Sequence, residues 1–334
     1  MQTEEIDFVI PWVDGNDAEW KKQFNRYAPD NKQKDIDIAQ SRYSDYGLLK
    51  YWFRGVETYA PWVRKIHFIT NGQKPEWLNT ENPKLHWVTH KDYIPEKWLP
   101  VFSSHPIELH MHAIEGLSDH FVYFNDDMYI TNSLKPGFFF KDGKPVLHTA
   151  ASIKWIRYDD VFSRINFNDC KLINTRFSFN NVVKQAPGKW LFGSPLKCCL
   201  ENFFYSRQKT VPGFSTQHQP NPYTKTALRE VWEAFPEALE ETSSHRFRSD
   251  RDVNQFLFYY WQLCTNSFVP KKKNDRSYYV ISEKNMPVIK KAILGNHCKM
   301  LCLNDNDNQD CTNLYPEVIS YFQEKLPEKS SFEL

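Results

Sequence analysis

The sequence predicts an α/β fold: a Rossmann-like, mostly parallel sheet with added strands, loops and C-terminal helices. Three observations carry this. Short apolar runs recur at Ile6–Val13, Lys65–Thr70, Lys84–Thr89 and Phe121–Phe124. Helical spacing intervenes between them, and strands alternating with helices through residue 130 argue for a parallel, doubly wound sheet. The run from Phe121 to Phe124 reads as a strand buried on both faces, yet it ends abruptly in Asn125, Asp126 and Asp127. Burying an unpaired carboxylate costs several kcal/mol, so such an ending needs compensation. At the carboxyl edge of a parallel sheet a ligand crevice supplies it. Paired hard oxygens suit Mg²⁺ or Mn²⁺, which in turn suit a diphosphate. A polar turn that caps the next element is the plain alternative.

The elements follow in order. Ile6–Val13 closes on Asp14-Gly15-Asn16-Asp17, the strand-and-turn opening of a nucleotide-binding unit. Asp14 faces a nucleotide or its metal in that reading, or bonds its own backbone in a turn. Glu19 to Gln40 is charged and broken by Pro29, as expected of a surface helix and loop. Tyr46 to Tyr59 carries Leu48, Leu49, Trp52, Phe53 and Val56 at helical spacing and stops at Pro61. The strand Lys65–Thr70 ends at Asn71-Gly72. A helix is expected from Ser103 or Ser104 through Gly116, with Pro106 in its first turn. Residues 140 to 215 read as short extra strands and loops. Thr226–Phe235, Asp250–Cys264 and Tyr315–Leu326 read as helices. The whole chain, 1–334, is expected to be one catalytic domain: a nucleotide-sugar and metal half (1–135) and a pocket-completing half (136–334).

Composition narrows the function. Among 334 residues, 41% are hydrophobic and 16% aromatic, enough for a sizeable core with aromatic pockets. Lys and Arg number 42 against 41 Asp and Glu, so nothing points to nucleic acid as a partner. Seven cysteines and no leader-like pattern at the first residues suggest a reduced, cytoplasmic setting. Cys298, Cys302, Cys311 and His297 match no common zinc spacing and are expected to be buried thiols. No apolar run approaches the ~18 residues of a span, so any membrane role is peripheral, at the inner face of the cell membrane.

Three further clusters carry chemistry-bearing side chains. Ser103 to His112 places His105, Glu108 and His112 near one face of the expected helix. His218, in Gln217-His-Gln-Pro-Asn-Pro222, is held in a proline-stiffened loop and suits a general base. Arg248, in the basic and acidic run Ser243–Asp252, could grip phosphate bidentately or stand as a solvated helix cap. Cys302-Leu-Asn-Asp305 sets Asn304 and Asp305 after a short apolar segment, as further metal or substrate oxygens or as a turn. Trp12, Trp98 and Trp155 are candidates to stack on a base or sugar.

Taken in order, these motifs resemble the Stealth family of sugar-phosphate transferases, which includes bacterial capsule and exopolysaccharide phosphotransferases and the catalytic part of the lysosomal-enzyme N-acetylglucosamine-1-phosphotransferase. The first region is matched by Ile6-Asp-Phe-Val-Ile-Pro-Trp-Val-Asp-Gly15. The second runs from Arg42 through Asn79, notably Tyr59-Ala-Pro-Trp-Val-Arg-Lys-Ile and Thr70-Asn-Gly-Gln-Lys-Pro-Glu-Trp-Leu-Asn79, and on to Asn125-Asp-Asp127. His218-Gln-Pro with Phe247-Arg-Ser resembles the third, and Cys302-Leu-Asn-Asp305 the fourth. The resemblance implies transfer of a hexose-1-phosphate, commonly from UDP-N-acetylglucosamine, to a hydroxyl of an oligosaccharide or polysaccharide, with release of UMP. It implies His218, Arg248 and Asp14 as catalytic, and Asp126, Asp127 and Asp305 as ligands of Mg²⁺ or Mn²⁺. Trp12, Gly15, Arg42, Asn71, His105, Asn125 and Asn304 are implied at the substrates. Leu48 stands where the family usually has a Glu, and Tyr46-Gly47 replace its usual polar pair. Two other readings remain at this point: a metal-dependent glycosyltransferase that moves the sugar itself and releases UDP, and a non-catalytic carbohydrate-binding protein.

Overall fold

A computed structural model describes residues 5–28, 36–37, 43, 46–157, 160–216, 218–273, 276–305 and 311–334. The central sheet has five strands. Its members are β1 (Ile6–Pro11), β2 (Ile66–Thr70), β3 (Leu85–Thr89), β4 (His120–Tyr123) and, following β5 (Met128–Ile130) of another sheet, β6 (Asn221–Thr224). The spatial order is β3-β2-β1-β4-β6. Neighbours run parallel except at the β4–β6 edge, where Tyr123 faces Asn221 in an antiparallel pair. The mostly parallel α/β sheet expected from the sequence is therefore present.

Strands buried on both faces explain the unbroken apolar runs. Alternation still sorts the side chains. Ile6, Phe8 and Ile10 of β1 join one core and Val9 the other; Val122 of β4 joins the first, and Phe121 and Tyr123 the second. Asp7 is a carboxylate in the middle of β1, fully buried. Burial would raise its pKa, but hydrogen bonds from His67 and Arg64, and from the Ser118 N–H, outweigh that and lower it. A buried charge is tolerable on those terms.

One core lies between the central sheet and the helix Leu49–Tyr59, the helices Met286–Leu294 and Tyr315–Lys325, and a three-stranded sheet. That second sheet sets β7 (Arg276–Val280) parallel to β8 (Met300–Asn304), and β8 antiparallel to β5. Gly55 lets helix Leu49–Tyr59 press on β5: a Cβ there would lie 2.6 Å from the Ile130 carbonyl. A bidentate pair of Arg54 with Glu333, at 2.7 and 2.8 Å, ties the C-terminus onto the same helix. The opposite core holds the helices Val161–Asn174, Lys225–Ala234 and Phe256–Cys264.

Three sequence expectations change. Residues 140 to 215 hold the expected short strands at Phe140–Lys141 and Lys144–Leu147, but four unexpected helices follow, Val161–Asn174, Phe179–Gln185, Pro187–Leu191 and Leu196–Tyr205. The helix expected to reach Gly116 ends at Leu109 and a 3₁₀ turn follows, so His112 does not share a helix with His105 and Glu108. The helix expected from Asp250 starts at Phe256, since the preceding segment turns around the buried Asp252 carboxylate.

Candidate active site

The site forms where the two sheets meet. β4 of the central sheet ends at Tyr123, and after the four residues Phe124 to Asp127 the chain enters β5 of the second sheet. Asp127 is the last residue of that crossing. Its backbone carbonyl accepts from Leu303 N–H (2.9 Å), which continues the β5–β8 ladder and pins the carboxylate over β8. Cys302 and Asn304 project from the same side of β8, being two apart in a strand. Asp127 Oδ2 accepts from the Cys302 thiol at 3.2 Å and from Asn304 Nδ2 at 3.3 Å.

His218 arrives from the other side. The antiparallel β4–β6 pairing delivers the segment before Asn221 to the carboxyl end of β4, and His218 Nε2 lies 2.9 Å from Asp127 Oδ2. The Tyr278 ring of β7 stands edge-on to the imidazole, 6.1 Å between centroids. Both members stay part-open, with 34% of the His218 side chain and 20% of the Asp127 side chain exposed.

The electrostatics follow from this pairing. Burial alone would depress the His218 pKa, but the charge and hydrogen bond of Asp127, with the charge of Asp126, outweigh it and raise the pKa above the ordinary histidine value. The positive charge of Arg248 acts on the same ring in the opposite sense, as the smallest of these influences. Burial would raise the Asp127 pKa, but His218, Cys302 and Asn304 together hold it down. Burial and the Asp127 charge push the Cys302 thiol well up, so it stays protonated. Asp127 Oδ1 is shut off from solvent and accepts no hydrogen bond among the described residues.

The other expected site residues fall as follows. Asp126 and Asn125 occupy the same crossing, and Asn125 N–H points to Met128 Sδ at 3.4 Å. Arg248 starts a two-residue strand paired with Ile36–Asp37, and its Nη2 donates to Ser104 Oγ at 3.4 Å. Asp305 accepts from the Tyr315 hydroxyl, whose ring stacks on Tyr46 at 3.6 Å. Asp14 forms a turn: its Oδ1 accepts from Asn16 N–H at 2.8 Å, while Gln73 brackets its backbone on both sides. Gly15 is required by close approach, since a Cβ would meet the Tyr43 carbonyl at 2.5 Å. Asn71 shapes the neighbouring turn by accepting from Gln73 N–H. Arg42 lies outside the described residues.

Two of these do not face an open site. Trp12 is buried against Phe68 in the core and has no face free to stack on a base. His105 is also buried. It donates from Nδ1 to Asp252 Oδ2 (2.7 Å), while His245 donates to Oδ1 (2.6 Å) and Ser249 N–H to Oδ2. That knot fixes the loop that begins with Arg248. Sequence reading passed over Asp252, which the Arg, Ser and Asp density around it hid, and it read Cys302 as a core thiol. The period of two in β8 signals Cys302, because Asn304 was already a candidate.

Among the described residues, one group of potential metal-ligating side chains has its donor atoms within 4.8 Å of one another: Asp127, His218 and Cys302. Asp126 and Asp305 stand outside that group. Cys298 and Cys311 donate to the Met300 and Ile281 carbonyls and gather no metal set. No helix among the described residues is long and apolar enough to cross a membrane.

Fold and site thus define an α/β protein whose sheet edge presents a part-open carboxylate coupled to a part-open histidine. Comparison with known proteins places it. Residues 4–32, 42–147 and 217–263 match Stealth protein conserved regions 1, 2 and 3. The receptor polysaccharide phosphotransferase WefC of Streptococcus gordonii is 37% identical, covering 99% of both chains. The capsular polysaccharide phosphotransferase WcwK of Streptococcus pneumoniae is 37% identical over 98% of this chain and 99% of its own. The exopolysaccharide phosphotransferase cps2G of Lactiplantibacillus plantarum is 36% identical over 98% and 96%. The chain belongs to the Stealth family, and it is an enzyme of the sugar-phosphate transferase class. A solved galactosyltransferase, LgtC, with donor and acceptor sugar analogs, aligns over 97% of this chain and 98% of its own, at 11% identity and a TM-score of 0.40.

Proposed function

We propose that this enzyme transfers a hexose-1-phosphate, an N-acetylhexosamine-1-phosphate, from a UDP-sugar to a hydroxyl of a capsular or exopolysaccharide acceptor and releases UMP. UDP-N-acetylglucosamine is the donor this reading favours. The single observation that carries it is the His218–Asp127 pair at the carboxyl end of β4. A histidine oriented by a carboxylate is built to accept a hydroxyl proton. The relatives, each named a polysaccharide phosphotransferase, support the phosphorus as the point of attack.

In this mechanism the neutral His218 ring donates from Nε2 to Asp127 and takes the acceptor hydroxyl proton on Nδ1, and Asp127 stabilises the imidazolium that results. The oxygen attacks the phosphorus that bears the sugar, the P–O bond to UMP breaks, and UMP departs with that electron pair. Arg248 neutralises charge on the equatorial oxygens. Asp252 acts through His105, His245 and Ser249 to keep the Arg248 loop in place.

The residues fit a hard divalent cation, Mg²⁺ or Mn²⁺. Asp127 Oδ1 is an ionised oxygen with no hydrogen bond among the described residues, and Asp126 adjoins it. When bound, such a cation supplies charge neutralisation for the diphosphate and the departing phosphate. The test is product analysis by mass spectrometry with a panel of nucleotide sugars and oligosaccharide acceptors: UMP and a phosphodiester product are expected. UDP and a glycoside would replace this reading with ordinary glycosyl transfer.

A further inference from the structure

We propose that the helix Leu196–Tyr205, with Phe192 ahead of it, is a seat by which the enzyme rests on an anionic lipid surface. The helix has two unlike faces. Cys198, Cys199 and Asn202 are buried, whereas Leu196, Leu200, Phe203 and Phe204 are 75%, 59%, 57% and 73% exposed. Their spacing of four, seven and eight residues puts them on one stripe. Phe192, four residues before Leu196, is 81% exposed. Single exposed apolar side chains are ordinary on a protein surface, but four on one helical stripe, with Phe192 just ahead of it, are not.

The stripe cannot turn inward to find cover. Asn202 Oδ1 accepts from Ala151 N–H at 2.9 Å and its Nδ2 donates to the Trp190 carbonyl at 2.8 Å, which fixes the helix's rotation. Cys199 Sγ donates to the Ser194 carbonyl on the same inner side. Gly193 locks the lead-in, where a Cβ would lie 2.6 Å from Pro270 Cγ.

Charge selects the occupant. From residue 184 to 209 the basic residues are Lys184, Lys189, Lys197, Arg207 and Lys209, and Glu201 is the one acid. The surplus stands out on a chain whose total is 42 against 41. Lys197, Arg207 and Lys209 are exposed beside the apolar stripe. A second copy meeting this face across a two-fold axis would set those cations against their own counterparts. A surface of anionic headgroups over acyl chains complements both features at once: the apolar side chains enter the headgroup boundary and the cations stay at the phosphates.

Flotation of the full chain with phosphatidylcholine vesicles, with and without phosphatidylglycerol, tests this. The protein should float with the anionic vesicles, and added salt should weaken the association. Leu200→Gln with Phe204→Gln, and separately Lys197→Glu with Arg207→Glu, should each lower the bound fraction tenfold or more. All four side chains are exposed, so melting temperature and UMP release from donor in solution should stay at wild-type values. Failure of the wild type to float, or equal flotation of wild type and variants, would overturn the proposal. So would a wild-type dimer in sedimentation that Leu200→Gln with Phe204→Gln turns into a monomer, which would make the face an interface between copies.

Discussion

Replacing Asp127 by Asn isolates the central contact of the site. The change keeps the side chain's size and removes its charge. In the native protein that charge does two things: it holds the His218 ring at 2.9 Å, and it raises the ring's pKa against burial and Arg248. A charge-assisted hydrogen bond contributes about 1.5–3 kcal/mol, which corresponds to roughly 10- to 150-fold in rate if the ring's position is lost in the transition state. Loss of the stabilised imidazolium adds to this, and general-base catalysis as a whole is worth about 10²- to 10⁴-fold. The variant should therefore lose about 10²-fold or more in kcat while remaining folded. The sign for the ring is definite. Asp127 favours the charged imidazole, so an amide there lets burial and Arg248 win and the His218 pKa falls. Two assays read this: steady-state turnover, and an NMR titration of the His218 ring in the protein free of metal and substrate. In the wild type the acidic limb of the rate profile should lie above ~6.5, the ordinary histidine value. Wild-type kcat in Asp127→Asn, or an unchanged ring pKa, would refute the coupling.

Other outcomes follow from the same geometry. Arg248→Lys should lose most activity, because an ammonium cannot reproduce the guanidinium's planar fork on a phosphate; wild-type turnover would return Arg248 to a structural role beside Ser104. Exhaustive stripping with EDTA should abolish turnover and Mg²⁺ or Mn²⁺ should restore it, whereas full activity in the stripped enzyme would remove the cation from the account. Acid should destabilise the fold through buried neutral histidines. Burial lowers the His90 pKa to about 4, and burial with the charges of His112 and Lys97 lowers that of His110 to about 3. The unfolded chain therefore binds more protons than the native one below pH ~6.5, and each ring should cost about 1.5 kcal/mol between pH 6.5 and 5. Urea unfolding at the two pH values measures this, and equal stability would contradict it.

The sequence made the sheet legible because a strand buried on both faces leaves an unbroken apolar run, and the Asn125-Asp126-Asp127 break pointed to a sheet edge that opens onto something, with a polar turn as the alternative. His218 was legible through the prolines that deny it a regular element. What stayed hidden was long-range. Nothing local says that β6 returns antiparallel beside β4, yet that pairing sets His218 against Asp127. Nothing local distinguishes Asp252, which gathers His105, His245 and the Ser249 amide, from a helix-capping acid. Trp12 looked like a stacking residue because it follows a strand, but its ring packs inward on Phe68. The helices between residues 160 and 205 were missed for a related reason. The stripe Leu196, Leu200, Phe203 and Phe204 carries helical spacing on the outside, and Cys198, Cys199 and Asn202 carry the inside, so the hydrophobic period points away from the core.

The bond that breaks decides the account. Donor carrying ¹⁸O in the bridge between sugar C1 and phosphorus, turned over with an oligosaccharide acceptor, should give a phosphodiester product that keeps the label and should release unlabelled UMP. Label found in released UDP would mean that the C1–O bond had broken, and transfer of the sugar phosphate would be contradicted.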